Sequence, residues 1–163
     1  MTRTRSSLRT LAGLAVAACA AVAPAAALPP TSASVALSSA RAGAKPVVLT
    51  LFLGYDMQCG YPGTEPIVVI FPAQERLPAR IPATAVLVDG HAAPTVSVVG
   101  HVVRIGLGVA PPRVMCDVIA SGTLRLVFTR AAGLGNPARA GSYRLKATKG
   151  TAAFSATYTI RGA

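Results

Sequence analysis

The chain has 163 residues, of which 52% are hydrophobic, and it carries a formal net charge of +11. Once an N-terminal leader is set aside, this length is enough for one hydrophobic core and too short for two, so we expect one domain. The chain has only five acidic residues and no tryptophan, which argues against a glycosidase that works with paired carboxylates on an aromatic platform.

The first 27 residues have the three parts of a secretory signal peptide. Three arginines occur in the first nine residues, an apolar stretch follows from Leu11 to Val22, and three alanines end at Ala27. We predict a signal peptide at 1–27, cleaved after Ala27, and a secreted or envelope-associated mature chain. The apolar stretch is too short for a membrane-spanning helix and no later segment is long enough, so we predict no transmembrane segment in the mature chain.

A second processing route is open at Cys19. The sequence Val16-Ala17-Ala18-Cys19 resembles the lipobox of bacterial lipoproteins, whose cysteine is acylated and becomes the mature N-terminus. The alternative to a freely secreted chain is therefore a surface lipoprotein acylated at Cys19. Further along, Pro, Ser, Ala and Thr dominate 28–44, which predicts a flexible tether before a folded domain at 45–163.

The mature chain stays strongly basic, because only three of the 16 lysines and arginines lie in the signal. Such a charge favours anionic partners, which for an exported protein are cell-wall polymers, membrane headgroups and acidic polysaccharide. Nucleic acid is not expected as a partner in that compartment. In the alternative interpretation, arginine serves only as a solubilising residue in a composition typical of a GC-rich coding sequence.

Two cysteines remain in the mature chain, Cys59 and Cys116. A pair of cysteines in an exported protein most often forms a disulfide, so we predict a bond between them. Closing a loop of this length stabilises the fold by about 4 kcal/mol in the loop-entropy model.

Short strands are predicted for the first part of the domain. Pro46–Gly54 is apolar, rich in β-branched residues and ended by glycine, and Ile67–Phe71 is a second short apolar run, so both are predicted strands. The segment 55–63 between them contains two glycines and a proline and is predicted to be a loop. In this loop, Tyr55 and Tyr61 form either an exposed recognition patch or a lid over the core.

The rest of the chain alternates between strands and turns. From Thr84 to Leu107 a three-strand meander is predicted, with turns at Asp89-Gly90 and Gly100. Period-two alternation then recurs in three segments, which predicts strands at 123–129, 143–148 and 154–161. No sustained helical period follows the signal, so the chain is predicted to be an all-β protein, a single β-sandwich of about seven strands.

Several of these segments resemble immunoglobulin-like modules of bacterial secreted and surface proteins. The resemblance spans about Ile67 to Ile160 and is carried by the turn Asp89-Gly90, the valine-rich segment Val96–Ile105, the strand Thr123–Phe128, the pair Asn136-Pro137 and the strand opening Gly141-Ser142-Tyr143. It implies an immunoglobulin-like sandwich with an adhesive, structural or wall-associated role, and it supplies no catalytic residues.

The sequence lacks the common catalytic and cofactor motifs, including HExxH, GxSxG, the phosphate-binding GxxxxGK and the EF-hand loop. We therefore predict a protein that is not an enzyme and has no cofactor. We predict an exported, non-catalytic module that acts at the cell envelope in a structural or binding role.

One alternative is a small copper-type metal-binding protein of the envelope. Met57 and Met115 lie close to the two cysteines and form, with His91, a candidate metal site; in the other interpretation the methionines pack around a buried disulfide. His91 and His101 follow successive turns, and the strand between them separates them by roughly 16 Å, so they are not expected to share an ion.

The polar faces of the C-terminal strands suggest a basic surface. If these strands are neighbours, one sheet face concentrates positive charge and binds anionic wall or membrane polymers. A solvated charged face that needs no partner is the other interpretation. The candidate residues are Arg125, Arg144, Lys146 and Arg161.

Overall fold

Ten strands form two antiparallel sheets within the described part of this computed structural model, which comprises residues 32–58, 64–108 and 119–162. Strands β1 to β10 are, in chain order, Ala33–Leu37, Leu49–Gln58, Ile67–Ile70, Val86–Val88, His91–Ala92, Thr95–Val99, Val102–Gly106, Ile119–Phe128, Gly141–Lys149 and Ala152–Ile160. The first sheet has the order β1-β2-β8-β4-β5 and the second has the order β10-β9-β3-β7-β6. Two short 3-10 turns occur at Ala83–Ala85 and Arg130–Ala132.

In the first sheet, the pairing of β2 with β8 places two rows of leucine side chains next to each other. Leu51 pairs with Leu126, and Leu53 pairs with Leu124. All four side chains are fully buried. Because alternate residues of a strand face the same side, the leucines of each strand lie on one face and pack towards the other sheet.

The predicted alternation of the C-terminal hairpin is confirmed. In β9 the side chains of Leu145 and Ala147 are buried, while those of Arg144 and Lys146 are exposed. β10 alternates in the same way, and Gly150 at the turn between the two strands has a positive φ of 54°. Glycine adopts this conformation without steric cost, which allows a two-residue connection.

Aromatic pairs join the two sheets across one hydrophobic core. Phe128 of β8 meets Phe71, which follows β3, in an edge-to-face contact with ring centroids 5.5 Å apart. Tyr55 of β2 lies 6.3 Å from Phe154 of β10. The buried side chains of both sheets form one contiguous cluster, so the architecture is that of a β-sandwich.

The number of strands was underestimated from the sequence. About seven were predicted, whereas ten are present in the described residues, and the additional ones are short or poor in bulky side chains. The strands that were not predicted are β5, which has only two residues, and β1, Ala33–Leu37, which lies in the segment predicted to be a tether. All-β architecture itself is confirmed.

The segment 28–44 is not a tether throughout, because β1 lies within it. Ala33–Leu37 pairs with β2, and its alternate side chains are half-buried against the core. The buried side chain of Asn136 holds the following segment, since its Nδ2 donates to the carbonyl oxygens of Ser39 and Arg41 at 2.8 Å each. The packed part of the chain therefore begins before Lys45.

β2 also extends further than the sequence predicted. Its pairing with β8 continues past Gly54 to Gln58, so Tyr55 lies in a strand and not in a loop. No helix among the residues described is long and apolar enough to cross a membrane. The signal peptide at 1–27 and Cys19 lie outside the described residues.

Candidate functional site

The second sheet is positively charged and contains no acid. None of its strands, β3, β6, β7, β9 and β10, includes an aspartate or glutamate, and three of its basic side chains are exposed on the outer face. We call this group the basic sheet face: Arg104 on β7, and Arg144 and Lys146 on β9. An anion approaching this face meets no repelling carboxylate from the strands themselves.

The register fixes the spacing of these charges. Arg144 and Lys146 are two residues apart on the same side of β9, which places their backbones about 7 Å apart. Arg104 is level with Thr148, two strands away across β3, since each pairs with Val68. Neighbouring strands are about 4.8 Å apart and Thr148 is four residues from Arg144, so the three cations cover roughly 10 Å across the strands and roughly 14 Å along them.

A row of exposed aliphatic side chains crosses the same face. Ile70 on β3 pairs with Val102 on β7, and Val102 pairs with Val99 on β6. These residues are 39%, 37% and 76% exposed, respectively, and they are the exposed large hydrophobic residues of the described chain. Lys146 pairs with Ile70 on its other side. We call these three residues the apolar row.

Two of the four basic residues predicted to form one surface are brought together. Arg144 and Lys146 lie on the same strand, but Arg125 belongs to β8 in the first sheet, whose outer face points the opposite way. Arg161 lies just beyond β10, where its backbone bridges to Arg41. The prediction that Arg125 shares this face is wrong because the C-terminal strands are divided between two sheets.

A groove lies beside the start of β9. Its volume is about 290 Å³, and it is lined by Gln74, Arg76, Ala138, Arg139 and Tyr143. The hydroxyl of Tyr143 donates to the carbonyl oxygen of Arg139 at 2.8 Å, which holds the loop before β9 against the strand. The lining includes two guanidinium groups and no acid, a combination suited to a carboxylate or phosphate group.

A buried carboxyl group fixes the loop that supplies one wall of this groove. Glu75, between two lining residues, is 3% exposed and accepts a hydrogen bond from the hydroxyl of Tyr158 on β10 at 2.5 Å. Its other oxygen has no hydrogen-bond partner. Burial raises the pKa of Glu75, and the bond from Tyr158 partly opposes that rise.

Tyr55, on β2 of the first sheet, is half-buried against the core and lies close to Lys149 on β9 of the second sheet. The ammonium group of Lys149 lies 4.9 Å from the centre of the Tyr55 ring, and Lys149 is 2% exposed. Burial lowers the pKa of Lys149, while the negative charge of Glu65 acts in the opposite direction. Tyr55 therefore takes the role of a lid over the core, whereas Tyr61 lies outside the described residues.

The combination of Met57 and His91 does not form a metal site. His91 pairs with Val88, which is level with Leu126 and Leu51 in the first sheet. Met57 lies roughly 20 Å further along β2 than Leu51, which is itself three strand spacings, roughly 14 Å, from His91. Within the described ranges there is no cluster of three or more potential metal ligands among His, Cys, Asp and Glu. Met115 lies outside them.

Cys59 and Cys116 also lie outside the described residues, but their neighbours in sequence are paired. Gln58 at the end of β2 pairs with Ile119 at the start of β8. Cys59 directly follows Gln58, and Cys116 precedes Ile119 by three residues. The disulfide remains a prediction.

Three basic residues of this region were not recognised as candidate site residues from the sequence. Arg104 stands between the buried Val103 and Ile105, so the period-two alternation of that segment could have placed it on an outer face. Arg76 and Arg139 lie in irregular loops that are separated by more than sixty residues and meet only in the folded chain. No periodic signal marks them.

Two antiparallel sheets around one core define the chain as an all-β protein of sandwich architecture. No family model and no curated protein matches the sequence. Among solved structures, the chain is similar to the crystal structure of BslA, a bacterial hydrophobin, with 17% sequence identity and a TM-score of 0.49. The match covers 80% of this chain and 99% of that chain.

Proposed function

We propose that the protein is an exported, non-catalytic module with an immunoglobulin-like sandwich fold that binds an anionic component of the cell envelope through the basic sheet face. The observation that carries this proposal is the charge of the second sheet, whose strands contain no acid and expose Arg104, Arg144 and Lys146. Export rests on the predicted signal peptide, and a lipid anchor at Cys19 is its alternative.

Electrostatics favours a repeating anion as the partner. The three exposed cations lie on a sheet of regular strand spacing, so phosphate or carboxylate groups at intervals of about 7–12 Å can contact two or more of them together. The groove beside β9 adds Arg76 and Arg139, whose guanidinium groups can bind such anions in a bidentate manner. Binding of this kind weakens as salt screens the charges.

The test is binding to inorganic polyphosphate, a soluble polyanion, over a series of salt concentrations. We expect affinity that falls steeply as NaCl is raised from about 50 to about 500 mM. In the double variant Arg144→Gln and Lys146→Gln, affinity at low salt should fall by about tenfold or more, since each surface cation contributes on the order of 1 kcal/mol.

Arg125→Gln is the matched control, because it removes one exposed arginine from the outer face of the opposite sheet. It should change affinity by less than about twofold. A loss of about threefold in the control, half of the double variant's tenfold loss on a logarithmic scale, would show that net charge alone governs binding. Affinity that does not respond to salt would exclude the proposed mode of recognition.

A further inference from the structure

The outer face that carries the basic sheet face also carries the exposed large hydrophobic side chains of the described residues. Ile70, Val102 and Val99 lie side by side on three neighbouring strands, and Lys146 continues the same cross-strand line on β9. The apolar row therefore lies directly among the cations instead of forming a separate patch. A soluble polyanion makes no use of aliphatic side chains, whereas a lipid surface offers both anionic headgroups and acyl chains.

The apolar row lies at the ends of three strands, since Ile70 ends β3, Val99 ends β6 and Val102 begins β7. Val99 and Val102 form the last pair before the two-residue turn at Gly100-His101, and Gly100 there has a positive φ of 58°. This tight turn leaves Val99 as the most exposed of the three side chains. Arg104 lies two residues behind Val102 on the same face, about 7 Å further from the turn.

We propose that this face docks on the surface of an anionic lipid bilayer, with the apolar row entering the headgroup region and the basic sheet face contacting lipid phosphates. The proposal rests on the proposed function and names its partner. The row spans roughly 10 Å across three strands. Apolar side chains on a protein surface insert shallowly, about 5–10 Å into the boundary between headgroups and acyl chains. Lys146 lies in line with the row, Arg104 lies about 7 Å to one side of it and Arg144 about 7 Å to the other, and these long side chains can reach the phosphates around it.

The experiment separates the contribution of charge from that of the aliphatic side chains. The full mature chain is sedimented with vesicles of phosphatidylcholine alone and with vesicles that also contain phosphatidylglycerol. The key variant is Val99→Thr with Val102→Thr, because threonine keeps the β-branched shape and strand propensity of valine and removes its apolar character. The thermal melting curve of the variant verifies that it is folded.

We expect binding to the anionic vesicles only, and a loss of about fivefold or more in the threonine variant. Binding of that variant to polyphosphate should be unchanged. Vesicle binding that is equal in the variant and the original chain would overturn the lipid proposal, and so would binding to polyphosphate without binding to vesicles; both results leave the proposed function standing. Failure to bind either probe would overturn both proposals.

Discussion

Removing the Tyr158 hydroxyl tests the buried contact that fixes the wall of the groove. In Tyr158→Phe the aromatic ring and its packing are kept, but the hydrogen bond to the buried carboxyl of Glu75 is lost. The other oxygen of Glu75 already lacks a partner, so the variant leaves the whole carboxyl group unsatisfied in an apolar environment.

The expected cost is about 1–3 kcal/mol, the desolvation penalty of a buried polar group that has lost its partner. For a domain of this size, that corresponds to a decrease in melting temperature of about 3–10 °C. The matched control is Tyr143→Phe on the neighbouring strand. Its hydroxyl bonds a backbone carbonyl at an exposed position, where water can replace it, so the loss should be within about 0.5 kcal/mol.

The effect depends on pH in a defined direction. Burial raises the pKa of Glu75 above its ordinary value of 4.5, so the folded chain holds this proton more tightly than the unfolded chain. The stability that this group supplies is complete below about pH 4.5 and is lost as pH rises through the folded-state pKa. The bond from Tyr158 lowers that pKa, so its removal raises it further, and Tyr158→Phe should be more destabilising at pH 7 than at pH 4.

Urea denaturation at several pH values measures this cost directly. Equal stability of Tyr158→Phe and the original chain at pH 7 would refute the reasoning. A cost that grows as pH is lowered would refute the assigned sign of the pKa shift.

Two further predictions concern a turn and the cysteines. Gly150→Ala should cost about 1–2 kcal/mol in chemical denaturation, because Gly150 has a positive φ and an added Cβ would clash with the carboxylate of Glu65. Gly162→Ala, at an open position, should be neutral. Intact and non-reducing peptide mass spectrometry of the native chain should show a start at Leu28, a mass two daltons lower than the reduced form, and a peptide pair containing Cys59 and Cys116. Free thiols would refute the disulfide, and a lipidated Cys19 would refute cleavage after Ala27.

The parts of the fold that the sequence predicts correctly are those with one buried and one solvated face. β9 and β10 alternate over nine residues each, and this pattern determines both the strand assignment and the side on which Arg144 and Lys146 lie. The turns at Asp89-Gly90 and Gly100 are marked by residues that tolerate positive φ. In each of these cases the local sequence was sufficient to predict the local structure.

The division of strands between two sheets could not be read from local patterns. β8 alternates like β9, yet it pairs with β2, more than sixty residues earlier in the chain. Arg125 therefore lies on the outer face of the first sheet, opposite to that of Arg144 and Lys146. The apolar row was missed for a related reason. Valines on the outer face of β6 and β7 break the simple alternation, and only the cross-strand register shows that Val99, Val102 and Ile70 are neighbours.

The pairing of β2 with β8 also has a consequence for the order in which the chain can fold. Leu49 pairs with Phe128, so the leucine-rich β2 has no partner on this side until roughly four-fifths of the chain has been synthesised. The β9–β10 hairpin, in contrast, closes across a two-residue turn as soon as it is made. Such long-range pairing is slow, and it exposes an apolar strand to aggregation in the meantime. The yield of folded protein should therefore depend on the rate at which the first sheet assembles more than on its final stability.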